Sequence, residues 1–477
     1  MTKKLLFATL LYFFAILLYL ILLIIYIIKD RKALTYCREV EKLNYYLAID
    51  IGASSGRHII GYKDNEGNLQ IEEIYRFKNG PTSFEGHLIW DINYLFNEVK
   101  TGIKLSLEKY KNIQYMSIDT WGVDYILLDS NDNEIYPCYC YRDHRTKKVI
   151  DEVHEKISFE ELYSITGSQF QEFNTLYQLY SDKINGRLNE AKDFLYMPEY
   201  LMFKLTGIKM HEYTNASTSG MLDCFDNVYS KEIIERLGFD KKLFNKLSKP
   251  KTIIGPFREE IIKEVGGNIN VILCPTHDTA AAVEGIPMNG NNPYISSGTW
   301  SLLGIKLDKA INSKKALNAN YSNEYGPNYI RFQKNIMGLW IIQNLSKQFN
   351  LDFIEMIELA KTSNYTEIYD VNDNIFLANE NMKDAIILWY EKNNITLPQN
   401  NADIINATYH SLAYSYKKAI KELEEITNQV YDCLYIVGGG AKNKYLNELT
   451  QKYTNKKVIA LPIEATAIGN LLTQMEV

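Results

Sequence analysis

Cysteine and histidine are scarce in this chain of 477 residues, with six Cys and seven His, no C-x-x-C pair and no His cluster. The scatter of Cys37, Cys138, Cys140, Cys224, Cys274 and Cys433 argues against a disulfide framework and a zinc site, and for reduced cytosolic thiols. A basic stripe is also missing and the net charge is −6, which speaks against nucleic acid as a partner. Short-period repeats are absent. An apolar fraction of 46% against 23% charged residues excludes a disordered chain. The 36 Tyr are the one compositional excess, and with abundant Asn, Lys and Ile they read as bias rather than a stacking surface. The length exceeds what one core serves and predicts two domains of about 200 residues.

Long apolar runs are absent except at the start. From Leu5 to Ile28 almost every side chain is apolar, without charge, Pro or Gly. As a helix this stretch would span about 36 Å, enough for a hydrocarbon core of ~30 Å. It is too long for a signal-peptide core and lacks an A-x-A-like cleavage site, so it predicts one transmembrane helix. Lys29, Arg31, Lys32 and Arg38 follow it, against Lys3 and Lys4 before it, which places the rest of the chain on the cytoplasmic side. A segment grafted onto a soluble protein is the other reading. Against a misread start, no Met lies between Met1 and Met116.

Two later stretches repeat one device. Tyr46-Leu-Ala-Ile-Asp50-Ile-Gly52-Ala-Ser54-Ser55-Gly56-Arg57 and Tyr294-Ile-Ser-Ser297-Gly298-Thr299-Trp300-Ser301 each read as strand, Gly/Ser turn, strand. Such turns expose backbone N–H groups to an anion, glycine permitting close approach and positive φ. One copy suits an ordinary hairpin; two suggest related domains facing one polyphosphate. The Pro/Gly/Asn-rich run Ile286–Pro293 marks the junction, giving a segment and linker over 1–43 and domains over 44–287 and 288–477. Strands come first and helices afterwards in both halves, predicting an α/β protein with two mixed sheets and a cleft between them.

Phosphoryl transfer needs held phosphates, a metal and a positioned acceptor hydroxyl with its base. Asp50 ends the first strand beside the first turn, where a carboxylate suits Mg²⁺, although an Asp also starts ordinary turns. Arg57 on the outgoing strand reaches phosphate or substrate, or simply solvent. Asp278, in His277-Asp278-Thr279, follows a buried strand and opens an alanine-rich helix just before the junction. That place suits an ionised proton acceptor, and equally a helix N-cap. Gly438-Gly439-Gly440 joins a strand to a helix and leaves room for a nucleotide, but no G-K-[ST] follows, so it is not a Walker A loop. Gly122 lies between Asp119 and Asp124 at a strand end, a turn suited to a sugar, with Trp121 for packing. Asn335 and Gln343 flank what reads as a strand-to-helix turn, as hydrogen-bonding groups or as a cap and a surface amide.

Together these motifs resemble the FGGY carbohydrate kinases, and within them the rhamnulokinases. The resemblance rests on AIDIGASSGR (48–57), IDTWGVDYILLD (118–129), YRDHRT (141–146), FNTLYQL (173–179), YTNAST (213–218), THDTAAAV (276–283), ISSGTWSLLG (295–304), KNIMGLWIIQ (334–343), IVGGGAKN (436–443) and EATAIGN (464–470). It implies two actin-like, ribonuclease-H-like domains around a central cleft for ATP and sugar. It also implies transfer of the ATP γ-phosphate to O1 of L-rhamnulose, with L-fuculose or L-xylulose as neighbouring substrates. A membrane-tethered, non-catalytic sugar sensor is the reading from another class. By motif, Ala53, Ser54, Ser55, Gly56, Arg57, Thr299, Gln343 and Gly439 would bind ATP. Gly122, His277, Asp278, Thr279 and Asn335 would bind the sugar, with Asp278 as proton acceptor. ATP and Mg²⁺ are the expected co-substrate and ion, and a monomer or weak dimer the expected state. The family has no counterpart for residues 1–38, and its closing helix continues past Met475-Glu476-Val477.

Overall fold

Two six-stranded mixed sheets organise the computed structural model, which describes residues 43–376, 381–461 and 464–477. The first sheet contains β1 (Tyr45–Ile51), β2 (Ser55–Lys63), β3 (Leu69–Lys78), β4 (Ile113–Thr120), β5 (Ile253–Gly255) and β6 (Asn270–Ile272), in the order β5-β6-β4-β1-β2-β3. The second contains β7 (Tyr294–Ser297), β8 (Trp300–Leu307), β9 (Ser322–Tyr325), β10 (Ile330–Met337), β11 (Cys433–Val437) and β12 (Lys457–Ala460), in the order β9-β10-β8-β7-β11-β12. In each, the first strand forms an antiparallel hairpin on one side and pairs parallel on the other, β1 with β4 and β7 with β11. The repeated device of the sequence is therefore the same corner of two similar sheets. The transmembrane span expected over residues 5–28 lies outside the described residues. Among the described residues no helix is long and apolar enough to cross a membrane.

Local chemistry explains these elements. Central β1 is covered on both faces, so Leu47, Ala48, Ile49 and Ile51 form a nearly unbroken apolar run with no exposure. Helix α1 (Ile92–Lys109) buries Leu95, Phe96, Val99, Ile103 and Leu107 at helical spacing, and Asp91 caps it by accepting from the Tyr94 N–H. Many tyrosines are core residues whose hydroxyls find a side-chain or backbone partner, as Tyr125 does on Asp182 and Tyr163 on Tyr321 O. Of the cysteines, Cys138, Cys140, Cys224, Cys274 and Cys433 are free thiols.

Five helices complete the frame around the cleft: α2 (Asp278–Glu284), α3 (Trp340–Phe349), α4 (Asn401–Thr427), α5 (Lys444–Thr454) and α6 (Ala465–Met475). Helix α6 follows the second sheet but packs on the first, with Ala467 and Leu471 against Ala48 and Ile59. Gln474 Nε2 donates to Leu47 O at 3.0 Å, and Asn470 Nδ2 donates to Asp119 Oδ2 at 2.5 Å. Its crossing with α2 is made of small residues. A Cβ on Gly469 would lie 1.8 Å from Ala281 O, and one on Gly285 would lie 2.0 Å from Ala465 O. The alanine run of α2 is thus a close-packing surface, and it holds the two halves of the chain together.

Candidate active site

Asp278 is the first residue of α2, and His277 occupies the N-cap position without a side-chain cap bond. The capping role open to Asp278 in the sequence is not the one it takes. Its carboxylate accepts from Thr279 Oγ1 at 3.1 Å, lies 3.4 Å from His277 Nε2, and keeps 31% side-chain exposure. It opens on a cavity of about 210 Å³ that Gly122, His277, Thr279 and Asn335 also line, so all five residues assigned to the sugar meet there. A second cavity is lined by Arg57, Ala282, Gly438, Gly439, Lys442 and Glu464, among others. Helix α2 borders both, with Asp278 and Thr279 on the first and Ala282 on the second.

The wall of the first cavity is built around Asp124. This buried carboxylate accepts from Trp90 Nε1 at 2.6 Å, Trp121 Nε1 at 3.0 Å, the Tyr141 N–H at 3.0 Å and Gln178 Nε2 at 3.0 Å. Burial raises its pKa to about 6 against the pull of these donors. Asp124 therefore organises the aromatic wall from behind and is fully used up in doing so. Between it and Gly122, Val123 sits at φ 70°, an unusual conformation for a β-branched residue. Thr218 Oγ1 takes its N–H and Thr175 Oγ1 donates to its carbonyl, which holds the turn in place.

The second half contributes Glu324 and Arg331, which the sequence alone did not single out. Arg331 is wholly buried; its Nη2 lies 3.1 Å from Glu324 Oε2 and 3.2 Å from His277 Nδ1. Burial alone would raise the Glu324 pKa, but Arg331 and His277 pull it down to about 2. His277 Nδ1 also lies 3.5 Å from Glu324 Oε2, so the ring is set between Arg331 and Glu324 on one side and Asp278 on the other. Asn335 lies near the end of strand β10 and Gln343 in helix α3, on either side of the strand-to-helix turn at Gly338-Leu339 that the sequence suggested. The neighbourhood of Asn335 to Asp278 comes from the approach of the two sheets, which no local pattern records.

At the first turn Ala53, Ser54, Ser55 and Gly56 lead into Arg57, which alone of these lines the second cavity. In the two turns the Gly52 N–H bonds Ser55 O at 2.9 Å and the Gly298 N–H bonds Trp300 O at 2.8 Å. The expected positive φ is absent from Gly52, Gly56 and Gly298. Close approach is the reason for Gly56, whose Cβ would meet the Phe77 ring. Gly438 does require glycine, with φ 79° and a Cβ position 2.7 Å from Ser297 O, whereas Gly439 faces open space. Thr299 Oγ1 reaches Gln343 Oε1 at 3.5 Å, brought there because the Leu339 and Trp340 N–H groups bond the carbonyls of Gly298 and Thr299. Neither Thr299 nor Gln343 is among the residues lining these two cavities.

Asp50 is buried, and its Oδ2 accepts from Arg57 Nε at 3.0 Å and Nη2 at 2.7 Å. Arg57 also bonds Glu464 from the far side of the cleft. Burial raises the Asp50 pKa, opposed by Arg57 and reinforced by Asp278 and Glu464. Asp119 is raised further by burial and by Asp50, and its Oδ1 has no hydrogen-bond partner. Among the described residues no group of three or more His, Cys, Asp or Glu side chains is arranged to hold a metal. Magnesium needs no such cage, since it binds through one or two carboxylates together with waters and phosphate oxygens. Asp50, whose Oδ1 stays outside the Arg57 pair, fits that role.

Residues 45–285 match the family described as the FGGY family of carbohydrate kinases, N-terminal domain, and residues 293–476 match its C-terminal domain. The chain is 44% identical over 434 residues to a rhamnulokinase of Oceanobacillus iheyensis, covering 90% of this chain and 92% of that one. It is 42% identical over 437 residues to a rhamnulokinase of Halalkalibacterium halodurans, covering 91% and 93%. A ligand-bound xylulose kinase from Lactobacillus acidophilus superposes with a TM-score of 0.75 at 16% identity, over 91% of this chain and 89% of that chain. A glycerol kinase with ADP from Plasmodium falciparum gives 0.71 at 16% identity, over 90% and 89%.

Proposed function

The chain belongs to the FGGY family of carbohydrate kinases, and from that premise we propose that it transfers the γ-phosphoryl group of ATP to O1 of L-rhamnulose. The single observation that carries this reading is α2, whose first residue faces one cavity and whose Ala282 borders the other. The two rhamnulokinases support the choice of sugar.

In this reading Gly122, His277, Thr279 and Asn335 hold the ketose so that its O1 hydroxyl faces Asp278. Asp278 takes the hydroxyl proton as O1 bonds the γ-phosphorus and the bond to the β,γ-bridging oxygen breaks, releasing ADP. His277, whose Nε2 lies 3.4 Å from the carboxylate, keeps it oriented. The first turn over Ala53–Gly56, Arg57, Thr299, Gln343 and Gly439 grip the nucleotide, with domain limits at 44–287 and 288–477. Asp50 would hold the Mg²⁺ that accompanies the nucleotide, and that ion would supply charge neutralisation for the phosphates.

A coupled ADP-release screen over ketoses tests the reaction. L-rhamnulose should give the highest kcat/KM. A strong preference for L-fuculose or L-xylulose would replace the sugar, and binding without ADP release would replace the enzyme by a sensor. The apolar run over 5–28 is read as a cytoplasm-facing membrane anchor. The full chain should then sediment with membranes and a chain starting at Asn44 should not; equal distribution would remove the anchor.

A further inference from the structure

Gln169 precedes the helix Thr175–Ile184 and is buried, with 6% exposure. Its Oε1 accepts from the backbone N–H of Asn335, across the cleft, at 3.2 Å. A backbone N–H can only donate, so this bond settles which end of the amide is which. Nε2 is then the free end. It is shielded from solvent and makes no hydrogen bond. Gln169 lines the same cavity as Asp278 and Asn335. Another amide on that wall, Asn174, shows the contrast: its Nδ2 donates to Thr218 O and its Oδ1 accepts from the Gln171 N–H. A buried donor left without an acceptor is costly, and native structures rarely keep one without a use.

We propose that Gln169 is a specificity residue whose Nε2 donates to a hydroxyl oxygen of the bound ketose. The inference rests on the reading of the first cavity as the sugar site. It also gives the sugar a contact that bridges the two halves, since the same amide is fixed by Asn335. Discrimination follows from the cost of leaving this N–H unpaired: an analogue lacking the matching hydroxyl strands the donor again.

The test uses the full chain as wild type, Gln169→Met and Gln169→Glu, with L-rhamnulose and its single-deoxy analogues as substrates. The Met variant removes donor and acceptor. The Glu variant, assayed at alkaline pH where the new carboxyl is ionised, keeps the acceptor for Asn335 and so guards against misfolding. In the wild type, one deoxy analogue should lose about ten- to a hundredfold in kcat/KM. Both variants should lose a similar factor on L-rhamnulose, mainly in sugar KM, with the KM for ATP unchanged. Neither should lose more on that analogue. Wild-type kcat/KM in the Glu variant would overturn the assignment, as would losses that multiply with every analogue. A wild type that turns over no ketose would instead overturn the proposed reaction, so the two failures are distinct.

Discussion

Gly469→Ala tests whether the Asp278 carboxylate is positioned by the crossing of α2 and α6. The added Cβ would lie 1.8 Å from Ala281 O, where ordinary contact starts at 3.4 Å. Helices α2 and α6 must therefore part by about 1.6 Å, or tilt by an equivalent amount. The obstructing atom is backbone, so no side chain can turn aside. Overpacking of this kind costs about 1–3 kcal/mol in stability. Its effect on rate should be larger, because Asp278 lies on the same short helix as Ala281 and a misplacement of ~1 Å is worth about 10²-fold. We expect kcat in the coupled ADP-release assay to fall about a hundredfold, together with a lower melting temperature. Gly80→Ala, where a Cβ meets nothing within 4 Å, is the control and should leave kcat unchanged. A Gly469→Ala enzyme with wild-type kcat would refute the claim that α6 sets the position of Asp278.

Two further outcomes follow from the charges around the cleft. The Glu324 carboxyl titrates lower when folded (about 2) than when unfolded (4.5), so its contribution is present above pH 4.5 and lost as pH falls toward 2. That difference is worth roughly 3 kcal/mol; Glu324→Gln should flatten the acid limb of a denaturant-melt series, and an unchanged limb would contradict the assignment. Arg57→Met removes the tie from Asp50 to Glu464 and should raise the KM for ATP at least about tenfold while sparing that for the sugar. Equal effects on both KM values would count against a nucleotide role for Arg57.

Local chemistry made the two hairpin corners legible, because strand, Gly/Ser turn and strand are all written within a dozen residues. The same holds for Asp278, whose place between a buried strand and an alanine-rich helix is a short-range pattern. Asp124 shows where this logic stops. Its neighbours in sequence suggested a sugar contact, yet its partners Trp90 and Gln178 arrive from distant segments and consume both oxygens. Glu324 and Arg331 face each other within one hairpin, but Arg331 reaches His277, and Gln169 reaches Asn335, only when the two halves of the chain meet. The glycines taught a smaller lesson. Gly438 needs its positive φ, whereas Gly56 and Gly469 are required by what lies opposite them, a contact no single stretch of sequence reports.

The most direct test of the central claim is turnover by Asp278→Asn, measured as ADP release with L-rhamnulose while calorimetry follows ATP and sugar binding. Loss of a positioned base is typically worth 10²–10⁴-fold, so kcat should fall about that far with both ligands still bound. Turnover at the wild-type rate would show that the carboxylate between the two cavities does not accept the proton.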